Sequence, residues 1–97
     1  MPFTFLSRFR IKPERDAEFV ALIAEMEGHA AEEPDTLAYK FYRLDQSGGY
    51  AVLESFTDEA ADKAHQTNPK TAPTIARMIE IIDGGYHREI LHDVTPG

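Results

Sequence analysis

The sequence predicts an α+β fold of the ferredoxin-like type, β-α-β-β-α-β in chain order, with a four-stranded antiparallel sheet and helices on one of its faces. Three observations lead there. Four segments alternate apolar and polar residues with a period of two, and the stretches joining the first pair and the last pair carry apolar residues at helical spacing. A short run of turn formers, Asp45-Gln46-Ser47-Gly48-Gly49, links the middle two strands as a hairpin. Helices that each return the chain to a strand around a central hairpin make the split β-α-β arrangement. At 97 residues the chain suits one domain, 1–97, with a small core and little margin.

The first strand spans residues 3–11, with Phe3, Phe5, Ser7, Phe9 and Ile11 on one face and Thr4, Leu6, Arg8 and Arg10 on the other. Pro13 ends it and opens a helix over residues 13–31. Along that helix Phe19, Leu22, Ile23, Met26 and Ala30 form one stripe, and Glu14, Asp16 and Glu18 place negative charge at its N-terminus. After the break at Glu33-Pro34-Asp35 the second strand covers residues 36–44. Leu37, Tyr39, Phe41 and Arg43 oppose Ala38, Lys40, Tyr42 and Leu44, so both of its faces carry large apolar groups. The third strand, residues 50–57, sets Tyr50, Val52, Glu54 and Phe56 on one side. Thr57 or Asp58 caps a helix over residues 59–66, Asn68-Pro69 interrupts it, and a further helix runs over residues 73–82 with Ile75, Met78, Ile79 and Ile82 in a stripe. Asp83-Gly84-Gly85 stops that helix, residues 86–94 form the last strand, and residues 95–97 are a tail.

Composition narrows function by exclusion. Ten basic against seventeen acidic residues give a formal charge of −7, with no Lys/Arg cluster, so neither a phosphate backbone nor an anionic membrane is an expected partner. No apolar run is long enough to span a bilayer, and the first residues lack the pattern of a secretory signal. With no cysteine there is no disulfide framework, thiolate metal site or cysteine nucleophile, and cytoplasmic residence is the expectation. His29, His65, His87 and His92 are scattered. An odd separation on one strand puts His87 and His92 on opposite faces, and no metal site is expected. Helices cover one side of the sheet, whereas Leu6, Tyr42, Leu44 and Leu91 stand on the other. A second copy of the chain is the simplest cover for that face, which makes a symmetric homodimer the expected assembly.

Three stretches carry a resemblance. They are Phe9-Arg10-Ile11-Lys12-Pro13-Glu14, then Glu33-Pro34-Asp35-Thr36-Leu37-Ala38-Tyr39, and most specifically Val52-Leu53-Glu54-Ser55-Phe56-Thr57-Asp58-Glu59-Ala60-Ala61 followed by Ala64-His65. In this order, over nearly the whole chain, the sequence resembles the antibiotic biosynthesis monooxygenase family of dimeric α+β barrel proteins. The resemblance implies cofactor-independent oxygenation of an electron-rich aromatic such as a quinol, polyphenol or anthrone, with dioxygen as co-substrate and no bound cofactor. A non-catalytic, dimeric small-ligand-binding module on the same fold is the alternative. Heme-degrading relatives carry an asparagine about where Ser7 stands and a tryptophan about where Phe56 stands. Their late-helix histidine has no counterpart among residues 74–78, so heme degradation is disfavoured.

Candidate site residues follow from chemistry. His65 continues the inward stripe of Ala61 and Ala64 and is the candidate catalytic base, since an imidazole titrates near neutrality; a structural histidine bonded to backbone or to Glu54 is the competing reading. Substrate contacts are expected from the aromatic sheet face (Phe5, Phe9, Tyr39, Phe56) and from Ser7, Glu54 and Tyr86, with core packing the plainer role for the aromatics. Arg77 and Arg43 are oxyanion candidates that an ion pair would otherwise occupy. Glu32-Glu33 and Asp58-Glu59 read as solvated helix ends.

Overall fold

The computed structural model describes residues 2–94; the expected tail over residues 95–97 lies outside them. The order of elements is β1 (Phe3–Arg10), a 3-10 turn (Pro13–Arg15), α1 (Asp16–Ala31), β2 (Thr36–Arg43), β3 (Gly49–Phe56), α2 (Glu59–Thr67), α3 (Ala72–Ile81) and β4 (His87–Leu91). The strands form one antiparallel sheet in the order β2-β3-β1-β4, as the ferredoxin-like reading requires.

Strand parity decides what the core is made of. Phe5, Phe9 and Ile11 from the β1 side and Tyr50, Val52 and Phe56 from β3 are all buried, while Arg8 and Arg10 between them are exposed. Phe19 and Met26 of α1 and Met78 and Ile81 of α3 close over this face, and the rings of Phe9, Phe19, Phe41 and Tyr50 pack with centroids 5.1–6.3 Å apart. Asp58 rather than Thr57 caps α2, its carboxylate accepting from the Ala61 N–H at 2.8 Å. Beyond the end of β1, Ile11 bridges to Ile82, and the Asp83 N–H donates to the Arg10 carbonyl, which ties the end of α3 to the sheet.

Local geometry overrides the simple periodicities at three places. The register slips between Thr36 and Ala38, so Leu37 is the extra residue of a bulge and is 55% exposed instead of sharing the inner face with Tyr39 and Phe41. On α2 the inward face runs through Asp62 and His65, and Ala64 is exposed. On α3 the buried stripe is Thr74, Met78 and Ile81, which turns Ile79 outward. The expectation that both faces of β2 are covered does not hold within one chain either: Tyr42 and Leu44 are exposed.

Candidate functional site

Pairing across the sheet lays the inner-face residues in transverse rows. One row runs Ile90, Phe5, Glu54, Tyr39 and the next Arg88, Ser7, Val52, Phe41. Helix α2 crosses above the first row and lowers His65 onto it. The imidazole is buried between two rings, with centroids 5.1 Å from Tyr39 and 5.3 Å from Phe56. Its helix ends where the Thr71 hydroxyl donates to the His65 carbonyl, fixing the turn that leads to α3.

Two carboxylates flank this imidazole. Nδ1 lies 2.7 Å from Glu33 Oε1, and Nε2 lies 4.0 Å from Glu54 Oε1, beyond hydrogen-bond reach. Glu33, from the loop between α1 and β2, also accepts from the Thr36 hydroxyl at 2.9 Å and from the Asn68 amide at 3.2 Å. Burial pushes its carboxyl up, but the hydrogen bonds from His65, Thr36 and Asn68 outweigh that and hold it below the usual carboxylate range. An ionised Glu33 accepts the Nδ1 proton and leaves Nε2 as the free acceptor, facing Glu54. Glu54 is in the opposite situation. Burial raises it to about 7, with Arg88 pulling it down and Asp62 pushing it further up.

Beside these groups is a cavity of about 130 Å³ lined by Ser7, Phe9, Tyr39, Glu54, His65, Tyr86 and Arg88 together with apolar side chains of α1 and α3. Exposed Ile79 and Tyr86 stand at its mouth. Burial, then the neighbouring carboxylates Glu54, Glu27 and Glu33, push the Tyr39 phenol upward, so it stays protonated. Arg88 lies with its guanidinium 4.0 Å from the centroid of the Phe5 ring and pairs with Asp62 at 3.1 and 3.4 Å. Asp62 is buried and also accepts from Gln66, which lines the cavity too.

Of the residues singled out from sequence, His65, Ser7, Phe9, Tyr39, Glu54 and Tyr86 meet around this cavity. Phe5, Phe56 and Arg77 do not line it. Phe5 is roofed by Arg88, Phe56 packs behind His65 with no exposed surface, and Arg77 points away along α3 to pair with Glu18 at 2.6 Å and Glu80 at 3.1 Å. Arg43 is likewise engaged, by Asp16 at 3.0 Å. The cation at the cavity is Arg88, which sequence reasoning missed. Glu33 corrects a second expectation, since it is no solvated helix end but the hydrogen-bond partner of His65. Among the described residues no group of three or more His, Asp or Glu side chains is arranged to hold a metal ion.

Residues 2–77 match the family model described as antibiotic biosynthesis monooxygenase. No curated protein matches the chain. Among solved structures, Rv0793 from Mycobacterium tuberculosis superposes with a TM-score of 0.86 at 19% identity, covering 99% of this chain and 98% of its own. A protein described as an antibiotic biosynthesis monooxygenase gives 0.86 at 22% identity, with coverage of 98% and 100%. A variant of SnoaB, a cofactor-independent oxygenase from Streptomyces nogalater, gives 0.80 at 19% identity, with coverage of 98% and 95%. At such identities the likeness is one of fold.

Proposed function

Because the chain belongs to the antibiotic biosynthesis monooxygenase family, we propose that it oxygenates an electron-rich aromatic substrate, a quinol, polyphenol or anthrone, with dioxygen and without a bound cofactor. The observation that carries this reading is the buried imidazole of His65, bound at Nδ1 by Glu33 and without a hydrogen-bond partner at Nε2, beside a largely apolar cavity. A substrate hydroxyl or acidic C–H gives its proton to Nε2, and the imidazolium that forms remains 2.7 Å from the Glu33 carboxylate. The substrate anion then passes one electron to dioxygen, and the radical pair closes to a peroxide. Loss of water leaves a carbonyl. One substrate carrying two removable hydrogens and one dioxygen give one oxygenated product and one water, so no outside reductant is needed. Arg88 and the Tyr39 hydroxyl supply the hydrogen-bond donors that an oxyanion requires.

The cavity of about 130 Å³ compares with the roughly 150 Å³ that admits benzene, so a single ring fills it and further rings extend past Ile79 and Tyr86. A homodimer belongs to the same proposal, formed through the sheet face that the helices leave open, where Leu6 and Leu53 pair and Tyr42 and Leu91 are exposed.

Oxygen consumption with a panel of hydroquinones and anthrones, on protein stripped of metal and flavin, tests the reaction. Turnover is expected with at least one of them, and His65→Ala lowers it by about 10²-fold or more. Background uptake by the wild type across the whole panel would leave the non-catalytic ligand-binding module as the reading.

A further inference from the structure

Two carboxylates address one imidazole from opposite sides, and their surroundings differ as much as two carboxylates can in so small a protein. Glu33 is saturated by three donors outside the cavity. Glu54 lines it on β3, its side chain 14% exposed and its Oε1 4.0 Å from Nε2, so that a substrate oxygen standing beside the pair in the cavity can reach both. We infer that Glu54 is the catalytic acid of the proposed oxygenation and Glu33 the positioning residue that keeps His65 in the tautomer with Nε2 as base. The inference rests on the oxygenase reading above and adds to it the route of the second proton.

The steps balance. His65 Nε2 removes the first substrate proton, and dioxygen adds to the resulting anion to give a peroxide anion. The Glu54 carboxylic acid protonates the peroxide. The Glu54 carboxylate then removes the remaining hydrogen from the oxygenated carbon, whose electrons form the carbonyl as the O–O bond breaks. The departing hydroxide takes the proton from His65 and leaves as water. Both side chains are back in their starting forms, and the substrate has lost two hydrogens and gained one oxygen. Pairs of titratable groups whose environments drive them apart are where acid and base roles divide. Burial holds Glu54 protonated to about 7, and the charged or titratable groups facing it from the packed elements are Arg88 on β4, Asp62 and His65 on α2, and Tyr39 on β2.

The test is the pH dependence of oxygen uptake in the wild type, Glu54→Gln and Glu33→Ala, read beside NMR of the substrate-free proteins. Wild-type kcat should fall as pH rises through about 7. Glu54→Gln keeps the shape of the acid without a proton to give, so its kcat should be lower by about 10²-fold and flat through that range. In ¹³C spectra the Glu54 carboxyl should titrate near 7, and ¹⁵N spectra should show His65 protonated at Nδ1 in the wild type and as a mixture of tautomers in Glu33→Ala. Wild-type kcat and profile in Glu54→Gln would overturn the acid assignment while leaving the oxygenase reading intact. A wild type that consumes no oxygen with any hydroquinone or anthrone of the panel removes both.

Discussion

At the scale of single residues, the site is organised by what surrounds each carboxyl rather than by which carboxyls are present. Glu33 and Glu54 are the same side chain, yet one is held low by three hydrogen bonds and the other high by burial. Stability must reflect this. Because the folded-state value of Glu54 lies above its unfolded value of about 4.5, the folded chain binds more protons than the unfolded one between about 4.5 and 7. Its contribution is therefore fully present below about 4.5 and lost as pH rises through 7. Glu54→Gln removes that loss, and at pH 8 the variant should be more stable than the wild type by roughly 2–3 kcal/mol, with no difference expected near pH 4. Urea denaturation at the two pH values checks it. Greater stability joined to slower turnover would mark Glu54 as a group retained at a cost to the fold. Glu33 has the opposite sign: its stabilisation is present above the ordinary carboxylate range and disappears on acidification. The place of Glu54 on the cavity side was legible in the strand alternation, but the role of Glu33 was not. Glu33 sits in a run of acidic residues at a helix end, 32 positions from His65, and only the chain path through the sheet brings the two together.

At the scale of elements, the alternation in β1 and β3 is enough to assign the inner face, because the two strands pair over their whole length without a slip. That places Ser7, Phe9 and Glu54 on the cavity side of the sheet. Periodicity failed where one residue changes the phase. The bulge in β2 sends Leu37 out, and the short α2 and α3 bury Asp62 and Thr74, polar residues whose partners Arg88 and Glu25 are remote in sequence. Arg88 escaped notice for a related reason: β4 alternates, but its inner face is decided by the register opposite Ser7 and Phe5. The hairpin between β2 and β3 carries a specific requirement of its own. Gly48 has φ of +78°, its carbonyl accepts from the Ile11 N–H at 2.8 Å, and a Cβ there would stand 2.8 Å from the Ile11 carbonyl oxygen. Gly48→Ala should therefore cost about 1–3 kcal/mol through strain and loosening of the β1 end, whereas Gly28→Ala, in the last turn of α1 and with open space around it, should stabilise slightly. Thermal unfolding of the two variants side by side separates them.

At the scale of the whole molecule, the helices shield one side of a four-stranded sheet and leave the other to be accounted for. That side is neither polar nor evenly apolar. Leu6 and Leu53 pair at its centre, with Ala51 next along β3 and Leu91 across the Thr4 position. Arg8, Lys40 and Glu89 lie around them, and the Thr4 and Ser55 hydroxyls bond to each other at 2.7 Å. An apolar centre with a charged margin is the anatomy of an interface, and a stable one needs about 800 Å² from each partner. If two copies meet there, a charge at the centre must be buried without a partner in the dimer while remaining tolerable in the free chain, where the same position is half-exposed. Leu6→Glu, set between Leu53 and Glu89, should accordingly shift sedimentation from dimer to monomer at micromolar concentration and leave the circular dichroism of the fold in place. Lys40→Glu, at the margin, should change association little beyond its salt dependence. A wild-type chain that sediments as a monomer at that concentration would mean the open face stays wet, and the apolar pairing at its centre would then serve only the sheet itself.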